Sequence, residues 1–182
     1  MLTLTLEGRR NQPMHVDDVR PVDIHRSAPY NGTFLSIPPQ GPGETVKIMF
    51  NFDEFDPRAR TPSGDEPYKP GGLFFQDHTL TIEDAKQDTI FIKSITTRWA
   101  VSFEISVDYH IGDKAGHLLI NDRGHPFALT PMNCADHTQS DADGHTTING
   151  HAAYEHVWEN DNFQAIKPVL TPKSYEIGPP YC

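Results

Sequence analysis

The sequence predicts an all-β protein: an antiparallel β-sandwich, immunoglobulin-like or jelly-roll, of about eight strands, with a C-terminal arm that contains one short helix. Three observations favour this fold. One long segment alternates between apolar and polar residues, several shorter segments do the same between turn residues, and 16 of the 182 residues are proline. This proline content is well above the usual share of roughly 5%, which is typical of a chain with many loops.

The clearest element is the segment 99–111. Every second residue from Trp99 to Ile111 is apolar, and the residues between them are small, hydroxylic or charged. A helix would distribute these apolar residues around its circumference, whereas a strand places them all on one side. The pattern therefore predicts a half-buried strand of an antiparallel sheet, with its other face toward water or a polar groove.

Shorter alternating segments predict the remaining strands. Pro21 marks one of them as an edge or bulged strand, and the Asn31-Gly32 pair predicts a tight turn before another. Turn residues separate most of the segments, as expected for a sandwich built from short strands. In chain order the predicted strands are 2–7, 19–25, 33–37, 46–52, 79–82, 89–97, 99–111, 118–121 and 127–129.

The composition of the chain changes after residue 130. Residues 133–151 contain few large apolar side chains and are rich in Asp, His, Thr and Gly. Tyr154, Val157 and Trp158 follow with the spacing of one helix face, which predicts a short helix. We therefore expect a sandwich domain over residues 1–130 and a polar arm over residues 131–182, which contains that helix and a proline-rich tail.

The formal net charge of −10 limits the classes of partner. An acidic surface repels nucleic-acid backbones and anionic lipid headgroups, so neither is an expected partner. The sequence has no apolar run of membrane-spanning length and no secretory signal, so we expect no membrane insertion within this chain. These features are typical of a cytoplasmic protein, or of an extracytoplasmic domain excised from a membrane-anchored parent.

Seven His and Asp residues of the arm form the first candidate for chemistry. Imidazole and carboxylate groups bind zinc, nickel, copper or iron, and carboxylates alone suit calcium. A calcium loop is incomplete here, because Gln139 and Gly150 occupy positions that need acidic ligands. The segment is therefore either a divalent metal site or a solvated polar loop. The candidate ligands are Asp136, His137, Asp141, Asp143, His145, His151 and His156.

The polar face of the 99–111 strand is the second candidate. Glu104, Asp108 and His110 share this face, and His117 follows in the next predicted strand. A carboxylate beside an imidazole can act as a general base, although such a face is more often only solvated. The sequence has no GxSxG motif and no glycine-rich phosphate loop, so no catalytic residue is assigned. The sequence favours a protein that is not an enzyme.

A segment rich in proline and glycine, residues 53–72, predicts a long loop between strands. Long loops in compact domains are commonly functional. Phe50, Phe52 and Phe55 lie near this loop, and strand phase assigns the first two to the core. An extended Phe74-Phe75 pair would point its rings to opposite sides, so that one is exposed. The predicted binding patch at this loop consists of Tyr68, Phe74 and Phe75.

A set of short segments is spread over residues 2–130: Arg20-Pro21-Val22, Gly32-Thr33, Pro38-Pro39-Gln40-Gly41, Phe52-Asp53, Asp56-Pro57-Arg58-Ala59-Arg60, Gly71-Gly72-Leu73-Phe74-Phe75 and Gly124-His125-Pro126-Phe127. Together they resemble uncharacterised β-rich domains of actinobacterial proteins. Some of those domains follow an N-terminal membrane or regulatory segment, so the resemblance implies one domain of a larger bacterial protein. It does not include the arm, and it implies no catalytic residue and no ligand.

Three functions agree with these observations. The sequence favours a non-enzymatic binding or protein-interaction module, the soluble domain of a bacterial protein, whose partner is a protein or a small ligand. The first alternative is a metal-binding protein or metal-dependent enzyme that uses the cluster from Asp136 to His156. The second is a structural assembly subunit that forms homo-oligomers through its extended C-terminal arm.

Overall fold

The computed structural model describes residues 1–36, 47–65, 68–131, 138–140, 146–148, 155–161 and 165–168. Strands dominate these residues, and the only helix among them is the single turn α1 (Phe74–Asp77). Within the same residues, no helix has the length and apolar character needed to cross a membrane. The prediction of an all-β fold is confirmed.

The chain divides into two compact units. The first contains Met1–Ser27 and Glu44–Leu129, and the second contains Ala28–Gly43 and Thr130–Cys182. The predicted arm therefore shares its unit with an internal segment of the chain. Each unit contains its own β-sheets.

The first sheet of the first unit has five strands. The pairing of β4 (Ile48–Asn51) with β8 (Gln87–Ile95) is parallel, and all other pairings in this sheet are antiparallel. Leu4 lies opposite Ile90, which places the alternating apolar residues of two neighbouring strands on the same face. In spatial order the strands are β1 (Leu2–Glu7), β8 (Gln87–Ile95), β4 (Ile48–Asn51), β5 (Arg60–Ser63) and β6 (Lys69–Leu73).

The second sheet of this unit is antiparallel and is centred on the predicted 99–111 strand. In spatial order its strands are β10 (Lys114–Ile120), β9 (Ala100–Ile111), β2 (Met14–Ser27) and β7 (Leu80–Ile82). A further strand, β11 (Phe127–Leu129), also pairs with β9, on the same side as β10. The pairing of β2 with β9 is interrupted by bulges between Val16 and Asp18 and between Val22 and His25. The first bulge makes Asp17 an extra residue on β2, which changes the direction of its side chain.

The two sheets pack face to face to form a sandwich. The rings of Phe52 and Phe103, one from each side, have centroids 4.5 Å apart. Burial of each large apolar side chain in such a core contributes about 1.5–3 kcal/mol to stability. The side chains of this core are Leu6, Val16, Val19, Ile48, Phe50, Phe52, Ala59, Phe74, Leu80, Ile82, Ile90, Ile92, Val101, Phe103, Ile105 and Val107.

The prediction of one long loop over residues 53–72 is wrong, because this segment contains β5 and most of β6. These strands form an antiparallel hairpin at the edge of the first sheet. Pro62, Pro70 and Gly71 are unfavourable in strands, which explains why the sequence predicts a loop. The hairpin is reinforced by a hydrogen bond from Arg60 Nη1 to the Gly71 carbonyl oxygen (3.0 Å). A Cβ atom at Gly71 would lie only 2.8 Å from the Thr61 hydroxyl, so this pairing requires a glycine.

The described part of the second unit contains two small sheets. β14 (His156–Asp161) lies between β3 (Thr33–Ser36), which is parallel to it, and β15 (Ala165–Pro168), which is antiparallel. β12 (Thr138–Ser140) pairs with β13 (Thr146–Ile148).

The prediction of a helix at Tyr154, Val157 and Trp158 is wrong for the two residues that the structure describes. Val157 and Trp158 lie in β14, where the first is buried and the second is partly exposed, as expected for neighbours on a strand. Tyr154 lies outside the described residues. Three apolar residues are too few to distinguish the helical period from the strand period, and pairing with β3 and β15 determines the outcome.

Candidate functional site

The turn after β4 carries the most exposed large apolar side chain of the described residues. Phe55 is 98% exposed, whereas Phe50 and Phe52 just before it are fully buried. A single exposed apolar residue is common on protein surfaces. Its meaning therefore depends on how rigidly the surrounding chain holds it.

Asp53 fixes the turn on one side. Its carboxylate accepts hydrogen bonds from the backbone N–H groups of Thr97 (2.9 Å) and Arg98 (3.3 Å) and from the Thr97 hydroxyl (2.7 Å). Hydrogen bonds to a charged acceptor are stronger than neutral ones. They tie the turn to the loop between β8 and β9, where the partly exposed Trp99 follows directly.

Two arginines fix the same turn from the other side. Arg60 forms a bidentate ion pair with Glu54, in which Nε lies 2.9 Å from Oε1 and Nη2 lies 3.0 Å from Oε2. Arg26, near the end of β2, donates to the carbonyl oxygens of Glu54 (2.8 Å) and Phe52 (3.4 Å). The backbone immediately before Phe55 is therefore linked to both sheets of the sandwich.

Arg58 holds the segment that follows the turn. Its Nη2 atom lies 2.9 Å from Asp18 Oδ2, at the first bulge of β2, and its Nη1 atom lies 3.8 Å from Asp56 Oδ2. Arg20 lies 3.8 Å from the same Asp18 oxygen. Burial raises the pKa of Asp18 above its ordinary value, although both arginines oppose this effect and Asp108 adds to it. Desolvation dominates because the Asp18 side chain is only 16% exposed.

We call residues 53–56 together with Trp99 the aromatic tip. Its backbone is linked to β2, to β5 and to the loop between β8 and β9 by the contacts of Asp53, Glu54 and Arg58. The aromatic tip therefore presents an aromatic side chain on a chain segment that is already ordered, and such order lowers the entropy cost of binding at a surface. Rigid exposed aromatic residues are typical anchors of protein interfaces.

The residues of the predicted binding patch have different environments. Phe74 is 4% exposed and belongs to the core. Phe74 and Phe75 begin α1 and make an edge contact with centroids 5.0 Å apart, so the expectation of an extended pair with opposed rings is wrong. Phe75 is half-buried against the core, and Tyr68 is half-buried with Lys93 Nζ 5.7 Å from its ring centre. A binding role for Tyr68 and Phe75 stays a prediction.

Most of the predicted metal ligands lie outside the described residues. They are Asp136, His137, Asp141, Asp143, His145 and His151. The remaining ligand, His156, begins β14 and is exposed. In the part of the chain that the structure describes, no three His, Cys, Asp or Glu side chains are grouped so that they could hold a metal ion. The metal site stays a prediction.

The outer face of the second sheet brings titratable side chains together around His110. Its Nδ1 atom lies 2.8 Å from Asp17 Oδ1, which the first bulge of β2 directs to this face. The His15 ring stacks on His110 with centroids 4.9 Å apart, and its Nδ1 atom lies 3.0 Å from the Thr81 hydroxyl. A catalytic triad needs one hydrogen-bonded chain from nucleophile to base to acid. A ring stack interrupts that chain here, so Asp17 and His110 do not form one hydrogen-bonded triad with the Thr81 hydroxyl.

The other predicted residues of this face make local contacts. Glu104 accepts a hydrogen bond from Asn121 (3.0 Å), and Asp108 pairs with Arg20 (3.1 Å). His117 lies opposite Asp108 in the register of β9 with β10, and it is exposed. Residues predicted to share this face do so, but Glu104 and Asp108 contact Asn121 and Arg20 and not each other.

The sequence places Phe55 near the 53–72 segment, but the predicted binding patch does not include it. Alternation assigns Phe50 and Phe52 to the core but ends there, so it does not distinguish an exposed Phe55 from a buried one. One signal was available, because Phe55 lies between two acidic residues, Glu54 and Asp56. Acidic residues are rarely buried without partners, so this setting favours a surface turn.

Comparisons with known proteins leave the function open. No protein-family model, no curated protein and no solved structure matches this chain. The functional assignment therefore depends on the geometry of the chain itself.

Proposed function

We propose that this protein is a non-enzymatic protein-interaction module that inserts Phe55 into an apolar pocket of a protein partner. One observation carries the proposal: Phe55 is 98% exposed on a turn whose neighbouring residues are held by ion pairs and hydrogen bonds. The prediction of a binding module from the sequence agrees with this assignment.

The energetics of such an anchor are favourable. Burial of a Phe side chain contributes about 1.5–3 kcal/mol. Because the aromatic tip is ordered before binding, little of this free energy is offset by the entropy of fixing the loop. Interface anchors of this kind are typically surrounded by weaker contacts that exclude water. Trp99 and Arg98, on the adjoining loop, are the residues placed to supply such contacts.

Charge favours a protein pocket over a lipid surface as the occupant. The whole chain carries a net charge of −10, and Phe55 lies directly between Glu54 and Asp56. Anionic membrane surfaces repel such a protein. A protein pocket with a cationic rim fits the ring and the Asp56 carboxylate beside it, which is 74% exposed.

Photo-crosslinking in the cells that naturally produce the protein tests this proposal. The photoreactive residue p-benzoylphenylalanine replaces Phe55 in one variant and Leu119 in a matched control. Leu119 is also an exposed apolar residue, at 54%, but it lies on β10, away from the aromatic tip. We expect one discrete covalent product from position 55, identified by mass spectrometry as a single protein, and none from position 119.

Two outcomes would overturn the proposal. The first is an identical set of products from both positions, which would indicate nonspecific exposure of apolar side chains. The second is sedimentation of the purified protein with vesicles of phosphatidylcholine and phosphatidylglycerol that is lost in Phe55→Ala. That result would assign the aromatic tip to a membrane surface.

A further inference from the structure

A cleft of about 790 Å³ lies at the end of β9 farthest from the aromatic tip. One wall is the connection between β1 and β2, residues 8–13, and the other is the turn between β9 and β10. Tyr109 and Ile111 line the cleft from β9. No residue of the aromatic tip contributes to it, so its function is independent of Phe55.

The first wall is held in place at its start by Gly8. The Gly8 N–H donates to the Lys86 carbonyl oxygen (2.9 Å), and the Gly8 carbonyl oxygen accepts from the Ala85 N–H (2.9 Å). A Cβ atom on Gly8 would clash with the Glu83 carbonyl oxygen, so only glycine permits this approach. The basic residues that follow Gly8 are therefore carried on an anchored backbone.

The second wall is a turn whose conformation also needs glycine. Gly112 has φ +56°, a conformation that residues with a side chain rarely adopt. A Cβ atom at this position would lie 3.5 Å from Gln12 Oε1, which places the Gln12 amide at the mouth of the cleft. The Gln12 side chain of the first wall therefore lies next to Gly112 of the second wall.

Tyr109 gives the cleft an aromatic surface. Its ring lies across the neighbouring strand at Gly116, where a Cβ atom would be 2.6 Å from Cζ and 2.7 Å from Oη. The ring occupies this position because Gly116, its partner in the register of β9 with β10, has no side chain. A half-buried aromatic ring beside polar groups can pack against the apolar part of a small ligand.

The charged residues that line the cleft are mainly basic, whereas the whole chain has a net negative charge. Arg9, Arg10 and Lys114 line the cleft together with one acidic residue, Asp113, although the chain carries a net charge of −10. Arg9 is paired with Glu7 at 2.9 Å, and this hydrogen bond lowers the pKa of Glu7. Neither Arg10 nor Lys114 forms an ion pair with another described residue, and Asp113 is the only acidic residue that lines the cleft with them.

We propose that this cleft binds a small organic oxyanion, a carboxylate or phosphate group attached to a compact ring that packs on Tyr109. A guanidinium group matches two oxygens of such an anion with parallel hydrogen bonds, and an ammonium group adds a point charge. Arg10 and Lys114 supply these groups from opposite walls, and the Gln12 amide adds a neutral donor and acceptor.

An NMR titration of ¹⁵N-labelled full-length protein tests the inference with three probes: inorganic phosphate, phenyl phosphate and benzoate, each against sodium chloride of equal ionic strength. We expect shifts of the backbone amides of residues 10–12 and 112–114. Phenyl phosphate should bind at least tenfold more tightly than inorganic phosphate, because only the former reaches the Tyr109 ring. Benzoate distinguishes a carboxylate site from a phosphate site.

Charge variants decide whether the named cations are responsible. Arg10→Gln and Lys114→Gln should each weaken binding of phenyl phosphate about tenfold, while Lys69→Gln, an exposed cation on β6, leaves it unchanged. These side chains are exposed, so the variants keep their fold. Equal weakening by Lys69→Gln, or identical shifts with sodium chloride alone, would overturn the proposal.

Gly116→Ala tests the aromatic contact separately. The added methyl group displaces the Tyr109 ring and should weaken phenyl phosphate without affecting inorganic phosphate. Equal losses for both probes would contradict a role for the ring.

Discussion

At the scale of single residues, Gly8 provides the sharpest test of the packing. Its position against the Glu83 carbonyl oxygen leaves no room for a methyl group. Gly8→Ala should lower the free energy of unfolding by about 1–3 kcal/mol, the usual cost of forcing an extra methyl into close-packed structure. Urea denaturation followed by circular dichroism measures this change.

Gly72→Ala is the matched control for this substitution. A Cβ atom at Gly72 would have no neighbour within 4 Å. Its effect should stay within about 0.5 kcal/mol, as for most surface substitutions. A loss in Gly72→Ala as large as that in Gly8→Ala would show that replacement of any glycine in this fold is costly, and that the Glu83 contact is not responsible.

The raised pKa of Asp18 predicts how the free energy of unfolding changes with pH. Because burial raises the pKa of this carboxyl in the folded protein, the folded state binds its proton more tightly than the unfolded state does. The contribution of Asp18 to stability is therefore full below its ordinary pKa, near 3.8, and is lost as the pH rises through the raised value. Wild type should lose stability relative to Asp18→Asn as the pH rises through this window.

The free energies of unfolding of wild type and Asp18→Asn, compared from about pH 3.5 to pH 7, measure this effect. A difference that instead grows in favour of wild type with rising pH would contradict the assignment. It would mean that the ion pairs with Arg58 and Arg20 outweigh desolvation.

At the scale of elements, the position of a strand within its sheet predicts how fast its backbone amide hydrogens exchange with solvent. β9 pairs with β2 on one side and with β10 and β11 on the other, so nearly all its amides should exchange slowly. β10 is at the sheet edge within the described residues, so its protection should alternate between inward and outward N–H groups. Uniform slow exchange along β10, measured by NMR, would indicate that another strand covers this edge.

The same elements explain which parts of the fold the sequence predicts. β1 and β9 have one buried and one more exposed face, so their alternation reveals both their type and their approximate ends. β5 and β6 do not alternate and contain Pro62 and Pro70, so only their long-range pairing makes them strands. β14 likewise depends on partners distant in sequence, β3 above all.

The exposure of Phe55 and the order of the surrounding turn could not be predicted from the sequence for a related reason. Phe55 is held in the open by contacts of its neighbours with remote residues. Asp53 and the Thr97 N–H that it binds are 44 residues apart, and Arg26 and Glu54 are 28 residues apart. Local periodicity does not report such contacts, so a sequence pattern predicts a loop here but not its rigidity.

At the scale of the whole molecule, the first unit presents two different surfaces at its two ends. β9 begins directly after Trp99 of the aromatic tip. It ends at Ile111, in the cleft lined by Arg10 and Lys114. Its 12 residues span roughly 35 Å at the usual rise of a strand. This length separates the aromatic tip from the cleft along β9.

The affinity of the protein crosslinked at position 55 tests most directly our proposal that Phe55 anchors a partner. The protein crosslinked at position 55 is purified and titrated by calorimetry against wild type, Phe55→Ala and Leu119→Ala. Neither substitution removes core packing, because both side chains are exposed. Phe55→Ala should weaken binding at least about thirtyfold, which corresponds to about 2 kcal/mol, while Leu119→Ala stays within about twofold. Affinities within about threefold of wild type for Phe55→Ala would contradict the account.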